Sequence, residues 1–389
     1  MPSVADALAR SRVAVVATFS THAIVAGTVG PWIPRVKADA GLDAGGLGIA
    51  LAGHALGLVA GTRLAGPAMR RAGGRATVRI GIPLLVAALA ALPIAGGLGT
   101  LVAIFAVLGI ASGALDVAMN TEAVDVERRA GRRLLSRIHG TWSVSMLVGA
   151  GLASIAIAAD VPIQAYLPVL AVVLMLASFP LLRWLPSPHE VERDEPAPVD
   201  AAKPARSPSL LVLALCLIGF ASFMTEGIAA EWSAVYLHET LGASAGLAGL
   251  GVVAFSAGMA ASRFVGDRLA TRFGPRDLVR VGAAVSAIVL AIALVFGGPA
   301  VTIVALAVVG MGVGPTVPMA FGAAGRLARG PGRTALGVVV TAGYVGSIVG
   351  PLAVGFVAEL SSLTASFAIP VTACVAIAIA ADALRVRGT

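Results

Sequence analysis

Twelve stretches of mostly apolar residues, each long enough to cross a bilayer as a helix, follow one another along the chain. They fall at approximately 12–34, 44–66, 76–96, 98–121, 136–159, 163–185, 209–232, 243–266, 277–297, 299–325, 333–358 and 364–384. A spanning helix needs roughly 20 such residues. These runs are too long for strands, and the alternating pattern of a membrane barrel is absent. Of the 389 residues, 58% are hydrophobic and 12% charged, whereas soluble domains carry about 25% charged residues. That excludes a soluble globular enzyme. The expected fold class is an all-α membrane protein with twelve transmembrane helices. The first stretch is not read as a cleaved signal peptide, because it is too long and holds Thr18, Thr21 and His22 at its centre.

The two cysteines, Cys216 and Cys374, sit in apolar stretches, and five scattered histidines show no zinc spacing. Neither a disulfide framework nor a metal site is expected. No nucleophile–base constellation is visible, so the chain is not expected to be an enzyme and should need no cofactor. Gly310-Met311-Gly312-Val313-Gly314-Pro315 resembles a phosphate loop by eye. It follows no strand and lacks the Gly-Lys-Ser/Thr ending, so nucleotide binding is rejected.

Positive charge sets the orientation. With the N-terminus placed in the cytoplasm, 26 of the 28 Lys and Arg residues fall on the cytoplasmic side, and only Arg35 and Lys37 lie outside. Such a bias is the positive-inside pattern. Both termini are therefore expected in the cytoplasm, with the chain multi-pass in the cytoplasmic membrane. The net charge of +8 is explained in the same way, and no nucleic-acid partner is expected.

Residues 186–208 interrupt the apolar pattern with six prolines and the acids Glu190, Glu192, Asp194, Glu195 and Asp200. Such a segment is a solvated, semi-extended linker. It divides the chain into six-helix halves, 1–185 and 209–389. The halves align with each other. At an offset of 200, Trp32 meets Trp232, Gly46 meets Gly246, Arg63 meets Arg263, Gly66 meets Gly266 and Gly74 meets Gly274. At 201, Gly109 meets Gly310, Gly113 meets Gly314, Arg132 meets Arg333 and Gly149 meets Gly350.

Two six-helix halves in parallel repeat are the plan of the major facilitator superfamily, and the loop at Gly266-Asp267-Arg268-Leu269-Ala270-Thr271-Arg272-Phe273-Gly274-Pro275-Arg276 looks like its signature loop. In the first half, Arg63 and Gly66 fit, but Pro67 and Ala68 stand where Asp and Arg would be expected. The resemblance implies a cytoplasmic gate latch, with Arg63, Gly66, Gly266, Asp267, Arg268, Arg272 and Arg276 as its candidates and His139 nearby. Three further stretches, Gly30 to Arg35, Gly113 to Asn120 and Glu226-Gly227 with Glu231-Trp232-Ser233, together with His139-Gly140-Thr141-Trp142-Ser143, resemble a bacterial branch related to fucose-type sugar/proton symporters.

Polar groups without a counterpart in the other half point to chemistry rather than scaffold. Asp116 pairs with Val317, Glu226 with Ala26, His22 with Ser222 and His54 with Ala254. An aspartate within a span costs about 2.5–3.5 kcal/mol on insertion scales, so it must face the bundle interior or a water cavity. Asp116 and Glu226 are the proton-coupling candidates, with a structural hydrogen bond as the alternative. Asn120 lies four residues beyond Asp116, on the same helical face. His22 and His54 are read either as a proton relay or as neutral histidines bonded between helices. Trp32 and Trp232 suit either a sugar face or the interfacial aromatic belt, and Glu231 sits near the outer interface. Gly53, Gly57 and Gly61 form a small-residue stripe for close helix packing. In span 5, Ala150 occupies the place of the proline found in the Gly-x-x-x-Gly-Pro motif of drug antiporters.

These readings lead to one expectation, that of a secondary transporter working by alternating access. Family resemblance makes it a proton-coupled symporter for a sugar-like polar solute. Proton-driven efflux of amphipathic compounds is the alternative. The coupling ion is a proton or sodium. The partners are the bilayer and a small solute, and the expected state is a monomer.

Overall fold

The computed structural model describes residues 4–131, 134–185, 210–327 and 335–385. The linker at 186–208 lies outside the described residues. Fourteen α-helices are α1 (Val4–Asp39), α2 (Ala44–Ala72), α3 (Gly74–Ala91), α4 (Leu98–Ala130), α5 (Leu135–Ala158), α6 (Ile163–Ser178), α7 (Leu210–Val235), α8 (Ala245–Phe273), α9 (Pro275–Phe296), α10 (Pro299–Val313), α11 (Thr316–Leu327), α12 (Ala335–Leu360), α13 (Leu363–Ser366) and α14 (Ala368–Ala380). Among the described residues they make twelve spans long and apolar enough to cross a membrane. Several outrun the apolar stretches that announced them. The first extends over Val4–Asp39 rather than 12–34, because helical hydrogen bonding continues past the hydrocarbon into polar ends that composition does not register.

Two spans are each divided into two α-helices. The tenth is cut into α10 and α11 at Gly314-Pro315. Pro315 has no N–H to give to the carbonyl one turn back, so the ladder fails there. The same run of glycines that mimicked a phosphate loop is thus a break inside a span. The twelfth begins as the short α13 and continues as α14.

The chain forms two compact units that divide between residues 193 and 194. The same helix pairs pack in each. In the N-terminal unit, α2 lies on α4, α1 on α5, and α3 on α4 and α6. In the C-terminal unit, α8 lies on α10, α7 on α12, and α9 on α10 and α14. Glycines make the two closest pairings in each unit. Any Cβ on Gly57 or Gly61 of α2 would collide with the carbonyl oxygens of Ala106 or Ile110 of α4, and one on Gly109 or Gly113 of α4 with those of His54 or Leu58 of α2. Numbers rise together on both helices, so the two run parallel. Gly27 and Gly149 lock α1 to α5 in the same way, against Met146 and Ile24. In the C-terminal unit, Gly258 and Gly310 do this for α8 and α10, and Gly346 for α7 and α12. Lipid supplies no hydrophobic drive between helices, so association rests on close van der Waals contact, which small residues permit. Of the repeated pairs, Gly109 with Gly310 and Gly149 with Gly350 sit at these crossings in both units.

One pairing of the two halves is corrected by the backbone. Gly73, not Gly74, has the conformation of Gly274: φ is 84° and 83° respectively, in the turns entering α3 and α9. This left-handed region favours glycine. The one-residue slip between the halves therefore falls before this turn.

Candidate functional site

His22 sits midway along α1 and is 8% exposed. Its Nδ1 accepts a hydrogen bond from Trp142 Nε1 of α5 at 3.1 Å. Asp116 of α4 and His54 of α2 lie within electrostatic reach, and the backbone of Ser112 runs beside the ring. Nε2 meets no acceptor at hydrogen-bond geometry. On α4, Asn120 Nδ2 donates to the Asp116 carbonyl at 2.7 Å and to Asp116 Oδ1 at 3.2 Å. His54 packs edge-on to Phe105 at 6.4 Å. Four helices thus bring His22, His54, Asp116 and Asn120, all singled out from the sequence, into one polar cluster with Trp142. Trp142 is half-buried and was not among the candidates. Its only signal was its place in the His139-to-Ser143 stretch. His139 is exposed and meets Phe19 edge-on at 5.4 Å.

In the C-terminal unit Glu226 is half-buried on α7, with Oε1 enclosed and without a hydrogen-bond partner. Arg263 of α8 is within electrostatic reach of it. One turn from Glu226, Phe223 stacks with Phe321 of α11 at 6.3 Å and meets Tyr344 of α12 edge-on at 6.0 Å. This aromatic trio was not anticipated, because its members lie up to 121 residues apart in sequence. Glu231, placed near the interface from its position, is half-buried about one turn from the end of α7.

Neither tryptophan of the repeated pair occupies a lipid-facing belt. Trp32 is 4% exposed and Trp232 is fully buried. Trp32 leans on Tyr166 of α6 at 5.6 Å. Helix packing has absorbed both rings, so neither presents a free face to a solute in this state. Arg35 pairs with Asp39 one turn on, at 2.8 Å.

The loop candidates separate from one another. Arg63, Arg268 and Arg272 are exposed, Gly66 is half-buried and Gly266 buried. Arg272 lies over the Phe273 ring at 5.2 Å. The Asp267 side chain lies outside the described residues. Arg276 turns to Asp382, Nε to Oδ1 at 2.6 Å, and Arg280 joins the same carboxylate at 2.8 Å. The pair ties α9 to the end of the last span. Because the shared Asp382 carboxylate is 61% exposed, solvent screens the clamp. Asp382→Asn should leave the melting temperature in detergent within about 2 °C of the parent, and a larger fall would mean the clamp carries the packing of α9. The acid that the sequence left out is Glu122, 5% exposed on α4. It lies against Gly74, with Arg75, Asp125 and Arg129 as charged neighbours. Nothing in the sequence marks it, because its burial comes from the packing of α4 against Gly74.

Residues 15–329 and 215–387 match the profile of the Major Facilitator Superfamily. The chain belongs to this superfamily. It is a multi-pass membrane transporter. An uncharacterised MFS-type transporter of Yersinia pestis is 33% identical over 341 residues, covering 87% of this chain and 86% of that protein. The uncharacterised transporter y4wD of Sinorhizobium fredii is 30% identical over 376 residues, covering 95% and 97%. Among solved structures, a mutant form of the nucleoside transporter NupG gives a TM-score of 0.74 at 13% identity, covering 97% of this chain and 100% of that one. A D-xylose–proton symporter gives 0.72 at 16%, covering 99% and 98%. At these identities the structural likeness establishes the superfamily fold.

Proposed function

We propose that this superfamily member is a proton-coupled symporter of a small, polar, sugar-like solute in the cytoplasmic membrane, with both termini in the cytoplasm. The observation that carries the reading is the cluster of Asp116, His22, His54 and Asn120 in mid-span. Intramembrane ionisable groups are costly and are kept where they serve a solute or ion pathway. A carboxylate beside two imidazoles is a set that can take up and release a proton, with Asn120 and the histidines as hydrogen-bond partners for hydroxyl groups. Glu226, with an enclosed oxygen, is the second candidate acid. The aromatic trio of Phe223, Phe321 and Tyr344 beside it suits the C–H face of a sugar ring. The D-xylose–proton symporter and the nucleoside transporter NupG are similar in fold, and a sugar-like solute is in keeping with that likeness.

The test is proton flux in proteoliposomes loaded with a pH-sensitive dye. Pools of sugars, then nucleosides, then cationic amphipathic compounds are added outside. Acidification of the lumen with a sugar or nucleoside pool is the expected result. A response to cationic amphipaths alone would replace symport by efflux, and sodium-dependent uptake without proton flux would replace the coupling ion.

A further inference from the structure

The indole of Trp142 determines which proton state His22 can hold. An indole nitrogen donates and never accepts, so the 3.1 Å bond from Trp142 Nε1 requires Nδ1 of His22 to be the acceptor. A neutral imidazole has one N–H. His22 in this state therefore carries its hydrogen on Nε2, a buried nitrogen on the side of the ring turned to the Ser112 backbone. An imidazolium has N–H groups on both nitrogens, and an Nδ1–H would face the indole N–H donor to donor.

We infer that Trp142 is a positioning residue that makes two states exclusive: neutral His22 bonded to Trp142 through Nδ1, or protonated His22 released from Trp142. The inference rests on the proposed role of this cluster in proton coupling and adds to it a direct link between proton uptake and the contact of α1 with α5. That contact is closed by Gly27 against Met146 and by Gly149 against Ile24, so the helices cannot simply part. The indole, half-buried, must be the element that moves. The ionisable groups within electrostatic reach of His22 are Asp116 from α4 and His54 from α2; α5 contributes the indole and, one turn before it, His139, which meets Phe19 of α1. Asp116 supplies the negative charge that a protonated His22 would meet once the indole has left.

The experiment is a pH titration of tryptophan emission on the full-length protein in detergent, over roughly pH 5 to 9, with no solute present. Subtracting Trp142→Phe isolates the Trp142 signal. A single one-proton shift of its emission maximum is expected. The shift should vanish in His22→Gln, whose amide oxygen still accepts from the indole but does not titrate. Size-exclusion profiles matching wild type show that both variants are folded, and His22→Asn serves as the second non-titrating variant if the Gln protein is not. A flat wild-type titration, or a shift that survives in the folded His22 variant, overturns the inference. Because this readout needs no transport, a flat titration alongside solute-driven proton flux sinks only this link. A titrating indole without any flux supports the link and sinks the symport reading.

Discussion

Asp116→Asn in proteoliposomes should lose solute-driven proton flux by at least tenfold, on the order of what removal of a proton-transferring group costs, while counterflow of unlabelled against labelled solute persists. The substitution conserves size and keeps an oxygen at the Oδ1 position that receives the Asn120 amide. Helix packing should be unaffected, so the melting temperature serves as the control. What changes is the carboxylate within electrostatic reach of His22. Exchange without net proton movement requires binding and conformational change but no coupling, so the split between the two assays separates a coupling residue from a structural one. Equal loss of both would make Asp116 a folding or binding residue. Unchanged proton flux would remove it from coupling and leave Glu226, tested by Glu226→Gln in the same assay, as the remaining candidate acid.

Gly57→Val should lower the melting temperature by about 5 °C or more, through an overpacking cost of about 1–3 kcal/mol. A Cβ at this position falls inside contact distance of the Ala106 carbonyl oxygen and lies 3.0 Å from the Ile110 nitrogen. Both are backbone atoms of α4 and cannot rotate away, so α2 and α4 must separate along a shared face. A sharper comparison lies within one helix. Gly149→Ala should destabilise, because its Cβ would strike Ile24 of α1. Gly151→Ala, two residues on, meets nothing within 4 Å and should be neutral or stabilising by up to about 1 kcal/mol, the helix preference of alanine over glycine. Thermal melts of the three variants in one detergent test this. Equal effects at 149 and 151 would mean that the α1–α5 crossing is looser than its geometry.

The candidate site was partly legible. Asp116 and Asn120 share a face at a spacing of four, and the observed hydrogen bonds between them follow from helical periodicity alone. His22 and His54 were marked by lacking a counterpart in the other half. Nothing in their spacing indicated that α1, α2, α4 and α5 would gather them, or that Trp142, 120 residues from His22, would bind its ring. Trp32 and Trp232 show the opposite failure. Their repeated positions near span ends suggested a belt at the lipid interface, yet both are buried, because the depth of a residue along a helix is readable from sequence while the direction of its side chain among neighbours is not. Arg276 stood in a loop pattern associated with gating and is found holding Asp382.

What the sequence by itself determined is the all-helical membrane architecture, the count of twelve spans, the break at 186–208 and the duplication. Each is a local property: the transfer cost of apolar and charged residues fixes where a chain can cross a bilayer, and a repeat is visible as identity at a constant offset. The tertiary structure alone decided which glycines are crossings and which are idle, and which polar groups meet. Those outcomes depend on distances between atoms far apart in the chain. They are settled by the packing of one helix against another, where a single methyl group or one indole N–H determines what fits.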